Sequence, residues 1–115
     1  MTATTYKHLT LGGIGTYTLP ASDITLRGNL TITTGASVTK SATNNLIFAI
    51  GGGNSQSITS NATNPDLGEI KISDNGGAST LTLGSAVKIA SATIDTSQIL
   101  SANWANTVTL TGTGT

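Results

Sequence analysis

Aliphatic or tyrosine side chains fall at every second position in seven short segments spread along the chain. Residues 17–19, 24–26, 30–34, 69–73, 79–83, 87–90 and 107–111 all follow this rule, with Thr, Ser or another small or polar residue between the apolar ones. An extended backbone sends successive side chains to opposite sides, so each segment predicts a half-buried β-strand. Leu46-Ile47-Phe48-Ala49-Ile50 is apolar throughout and ends on Gly51-Gly52-Gly53. It predicts a strand buried on both faces at the centre of the core. No long stretch repeats with the helical period; residues 95–105 are the one helix-like candidate, of about one turn. Turn signals separate the strands at Gly12-Gly13, Gly28-Asn29, Thr34-Gly35, Asn44-Asn45, Asn64-Pro65-Asp66, Asp74-Asn75-Gly76-Gly77 and Gly84-Ser85, residue types that tolerate positive φ or bond to their own turn backbone. Residues 55–66, apart from Ser57-Ile58-Thr59, show the weakest strand character and are expected to form an exposed loop.

Residues 1–11 are polar and weakly patterned and are expected to form an arm, leaving 12–115 as a single all-β domain. Two all-β architectures fit. A β-sandwich or jelly roll has a core about 10 Å thick, commonly filled by bulky residues, and the aromatic inventory here is Tyr6, Tyr17, Phe48 and Trp104. A β-solenoid stacks strands about 4.8 Å apart around a narrow interior that aliphatic ladders fill, and it is the favoured fold. Residues 29–39 and 79–89 share an alternating strand, a glycine, a small pair and a second short strand. Their glycines, Gly35 and Gly84, are 49 positions apart, which is two coils at a period of roughly 20–29 residues.

Those two segments resemble, in texture, bacterial and phage β-helix proteins, including virion surface proteins of the capsid-decoration or cement type. The resemblance covers about half the chain and carries no site residues with it. It implies a structural protein at a virion surface, contacting a major capsid protein or another structural protein. An adhesin using an exposed loop over residues 51–66, and a surface-layer or filament subunit, are the competing expectations.

Charge sharpens this picture. Only 9% of residues are charged and the formal net charge is zero, with Lys7, Arg27, Lys40, Lys71 and Lys88 spread against Asp23, Asp66, Glu69, Asp74 and Asp95. Without a basic cluster or aromatic platforms, nucleic-acid binding is not expected. A near-neutral surface lacks the self-repulsion that keeps copies apart, and few bulky groups are available for burial. A homo-oligomer is expected, with a trimer as the favoured form. No segment approaches the roughly 18 apolar residues that span a membrane, and residues 1–11 lack the apolar core of a signal peptide. Read as a natural start, Met1 implies synthesis in a cytoplasm without ordinary export.

Candidate chemistry is sparse. The chain has no Cys and one His, His8, which removes the common zinc sets and Cys nucleophiles. No G-x-S-x-G elbow accompanies His8, and an enzyme is not expected; no catalytic, cofactor or metal residues are assigned. Asp66, Glu69 and Asp74 form the one local carboxylate cluster, with oxygen chemistry suited to calcium but spacing that matches no calcium loop. Gly12-Gly13-Ile14-Gly15 and Gly51-Gly52-Gly53 lack the helix and the Lys-Ser/Thr that a phosphate loop needs, and read as turns. The pairs Thr16/Thr18, Thr31/Thr33, Thr80/Thr82, Thr107/Thr109, Thr109/Thr111 and Thr111/Thr113 resemble the hydroxyl grids of ice-binding proteins, though Thr is also the ordinary outward residue of an uncharged strand.

Overall fold

A computed structural model describes residues 5–40, 45–49, 54–62, 65–73, 76–102 and 108–110. Strands β1 (Thr5–Tyr6), β4 (Ile24–Leu26), β7 (Asn45–Phe48), β9 (Glu69–Ile72) and β12 (Ser91–Ile94) form one five-stranded parallel sheet, face A. Strands β2 (Leu9–Leu11), β5 (Leu30–Ile32), β8 (Ser55–Ser60), β10 (Thr80–Leu83) and β13 (Ile99–Ala102) form a second, face B. On the third side, face C, β3 (Gly15–Leu19) pairs with β6 (Ala36–Lys40), and β11 (Val87–Ile89) with β14 (Val108–Leu110). The chain visits A, B and C in turn and advances one strand per circuit. It is a small parallel β-solenoid of about four turns, and the sandwich alternative falls away.

Between the two halves of face C the described residues of the third rung contribute no full strand. Asp66 N donates to Val38 O at 3.1 Å, Lys88 N to Pro65 O at 2.9 Å, and Leu67 N to Lys88 O at 2.9 Å. This single bridge at Asp66 carries the ladder from β6 to β11. Pro65 has no N–H to give, so the rung narrows to a bridge there.

Alternation places the core. On face A the inward residues stack as Ile24–Leu46–Ile70 and Leu26–Phe48–Ile72, and on face B as Leu9–Leu30–Ile58–Leu83. All are buried. Leu19, Leu67 and Ile89 complete the cluster from the third side. Each rung hides its apolar residues only because the neighbouring rungs cover them, as in other stacked-repeat folds. At the last rung Ile94 is 46% exposed although it continues the Phe48–Ile72 column.

Four expectations need correction. Residues 55–60 are not an exposed loop but the longest strand of face B, paired on both sides, with Gln56, Ile58 and Ser60 buried. Serine at alternate positions masks a strand whose inward set is Gln-Ile-Ser. Over 95–102, the described part of the helix-like candidate, the chain makes a tight turn closed by Gln98 N donating to Asp95 O at 3.1 Å, followed by β13; residues 103–105 lie outside the described residues. Ser97 sits in the turn at φ 65°, a left-handed conformation that ends one extended segment and starts the next. The expected arm contributes β1 and β2 to the first rung, so the solenoid is under way by residue 5; residues 1–4 lie outside the described residues. Leu46–Phe48, predicted to be buried on both faces, alternates instead: Leu46 and Phe48 are buried and Ile47 is half-buried on the outward side.

The corners between faces A and B are held by polar side chains turned inward. Buried Gln56 donates from Nε2 to Leu26 O at 3.0 Å and to Gly28 O at 2.6 Å, closing the corner of the rung before it. Gln98 repeats the device further along: its Oε1 accepts from Ser79 N at 3.1 Å and its Nε2 donates to Gly77 O at 3.1 Å. Buried carbonyls and amides need such partners, since leaving one unmade costs about 1–3 kcal/mol.

Candidate interaction surface

The outward side of face B is built from uncharged residues. Strands β2, β5, β8, β10 and β13 read LTL, LTI, SQSITS, TLTL and ILSA, so none carries an acidic or basic side chain. Register aligns the outward positions in columns: Thr10–Thr31–Thr59, Ser57–Thr82–Ser101, and Ser55–Thr80–Ile99. Neighbours in a column are about 4.8 Å apart and alternate residues along a strand about 6.7 Å. The face measures roughly 20 Å across its strands and 10–20 Å along them, a few hundred Å².

The described charges stand elsewhere. Glu69 and Lys71 lie on β9 of face A, and Lys71 Nζ approaches Asp95 Oδ2 at 3.5 Å in a partly exposed ion pair, worth at most about 1 kcal/mol. Asp23 Oδ1 accepts from Asn45 N at 3.1 Å beside the same face. Asp66 and Lys88 belong to face C.

This partition takes the carboxylate cluster apart. Asp66 Oδ1 accepts from Gly68 N at 3.0 Å, a local turn bond, while Glu69 has passed the corner onto face A beside Asn45 and Ser91. Asp74 lies outside the described residues. Among the described residues no three His, Asp or Glu side chains come together in a way that would hold a metal ion. His8 is a corner residue whose Nδ1 accepts from Asn29 N at 3.1 Å. Asn29 Oδ1 then accepts from Ser57 N at 3.0 Å, so one polar chain ties the first three rungs.

No protein-family model, no curated protein and no solved structure matches this chain. Its surface therefore has to be read from its own geometry.

The threonine pairs divide between two faces. Thr16 and Thr18 on β3 stand over Ser37 and Thr39 of β6 on face C, whereas Thr31 and the pair Thr80/Thr82 belong to face B. Thr107, Thr111 and Thr113 lie outside the described residues. On face C the hydroxyl columns give way to Asp66 and Lys88 at the next rungs; on face B Thr10–Thr31–Thr59 and Ser57–Thr82–Ser101 each run three rungs deep without a charge.

Gly12-Gly13-Ile14-Gly15 forms the B–C corner of the first rung, with Gly13 at φ 86°. Ile14 at its tip is 99% exposed. On the same corner Thr34, Gly35, Ala36, Ser37, Asn61 and Ala62 line an open cavity of about 340 Å³. It lies between the turn that opens β6 in the second rung and the two residues that follow β8 in the third. Sequence reasoning passed over Ile14, although a branched apolar residue between two glycines has nothing local to bury it.

Proposed function

We propose that this chain is a non-enzymatic structural module of a particle surface, a virion surface component of the capsid-decoration, cement or fibre kind. The observation that carries the reading is the uncharged, hydroxyl-lined side of face B on a backbone ladder of parallel strands. Covering hydroxyls that can exchange water for a neighbour's polar groups costs less than covering charges. A few hundred Å² is well under the roughly 800 Å² that each partner gives to a standard stable interface, so one such contact is weak. Repetition by symmetry makes weak contacts effective, because each further one forms at high local concentration. A rigid block with such a face suits a lattice component better than a freely diffusing binder. The adhesin reading loses much of its exposed loop, since residues 55–60 are sheet.

Quantitative mass spectrometry of purified particles from the source of the chain tests this. The expected result is a copy number in fixed ratio to the major shell protein, and loss of attachment when Thr31→Lys and Thr59→Lys place charges on face B. Trace occupancy, or full attachment of that variant, would refute the reading.

Face B favours one second reading, an ice-binding surface, because its hydroxyl columns repeat along both directions of the sheet. Thermal hysteresis with faceted crystals, abolished by Thr31→Lys, is its signature; freezing that matches a control protein removes it.

A further inference from the structure

We infer that the B–C corner is a contact between two copies of this chain, in which Ile14 of each seats in the corner cavity of the other. The inference rests on the reading of the chain as an assembling module and names the surface and partner of one contact.

An isoleucine that is 99% exposed is an outlier in a molecule whose other described aliphatic side chains are stacked in columns or stand at its last rungs. The glycines on either side project nothing that would shield it, and the corner leaves it standing clear of the sheet. Immediately beside it lies the cavity. Gly35 belongs to both features: it lines the cavity, and a Cβ placed on it would stand 3.2 Å from Ile14 Cγ1. Knob and hole are thus adjacent on one edge of one molecule.

That adjacency sets the symmetry. A two-fold axis passing between knob and hole brings each knob onto the partner's hole in a single operation, giving two identical insertions. The cavity has room for the four carbons of an isoleucine side chain, and its rim is Thr34, Ser37 and Asn61, small residues without charge. A buried aliphatic anchor surrounded by small polar groups is how small interfaces concentrate their affinity. Among the described lining residues a charged ligand finds no counter-charge, and none is aromatic.

Sedimentation velocity on the full chain from about 10 μM to about 1 mM tests the proposal. The expected result is a monomer–dimer equilibrium. Ile14→Asp should weaken it by about ten- to a hundredfold for each buried side chain lost, and Ile14→Leu should preserve it. Ser37→Trp, which fills the cavity from an exposed position, should weaken it comparably. Both altered positions are exposed, so circular-dichroism melting curves should match the parent and show that the variants are folded. A chain that stays monomeric over the whole range overturns the proposal, as does association that survives Ile14→Asp. Loss with Ile14→Asp but not with Ser37→Trp also overturns it, since the knob would then seat elsewhere. None of these outcomes bears on the particle-surface reading, which is decided by copy number and by the face B variant.

Discussion

Gly28→Ala is the sharpest test of how the rungs fit together. Gly28 turns the corner between β4 and β5 and is buried under the corner of the rung before it. A methyl group there would meet Lys7 O well inside van der Waals contact and stand 2.5 Å from His8 Nδ1. One of these obstacles is backbone, so the first rung has to move away from the second. Overpacking of this kind costs about 1–3 kcal/mol by itself. The displacement also disturbs two hydrogen bonds of the same corner, Asn29 N to His8 Nδ1 and Gln56 Nε2 to Gly28 O, each worth about 1 kcal/mol when simply lost. The expected destabilisation is about 3–5 kcal/mol, read from urea titrations followed by circular dichroism. In a domain of this size each ~1 kcal/mol lowers the midpoint of a thermal melt by about 4–8 °C. Gly13→Ala is the control. Gly13 has φ 86° and open space around its Cα, so that variant carries only the left-handed penalty of about 1–2 kcal/mol. Adding His8→Ala to Gly28→Ala should recover only part of the loss, because Lys7 O remains in the way. Equal stability of Gly28→Ala and the parent would refute the stacking described for the first two rungs.

Three further outcomes follow from the same geometry. Phe48→Ala, at the middle of the Leu26–Phe48–Ile72 column, should cost about 3–5 kcal/mol in urea unfolding; a loss below 1 kcal/mol would mean that the column is not packed. Gln56→Leu removes both bonds that close the second-rung corner and should cost about 1–3 kcal/mol, more than Ser57→Ala at the neighbouring outward position, with the two compared by thermal melts. Millimolar calcium should leave the melting temperature unchanged, since Asp66 and Glu69 stand on different faces and a ligand of the native state would otherwise raise it.

How far the sequence reaches can be judged strand by strand. Strands β4, β5, β9, β10 and β11 were legible because their inward residues are aliphatic and their outward ones polar, so period two is visible without knowing the fold. Strand β8 was not, because its inward set contains Gln56 and Ser60, whose burial is made tolerable by Leu26 O, Gly28 O and neighbouring corner groups rather than by their own hydropathy. The echo of 49 residues holds for the third side, where Val38 and Val87 lie two rungs apart in the same inward column. It misses on face B by four positions, for Leu30 stacks through Ile58 on Leu83. Rungs of unequal length hide a repeat that the backbone keeps.

Local alternation and turn chemistry therefore determined that the chain is all-β, where most strands fall, and that it is built from short rungs with few reactive groups. They act between residues a few positions apart, which is the range a pattern can report. The tertiary structure alone decided which residues share a face. Parallel stacking pairs residues 19–28 positions apart, and only that pairing gathers the uncharged strands on face B, separates Asp66 from Glu69, and sets Ile14 beside a cavity made by a rung far along the chain.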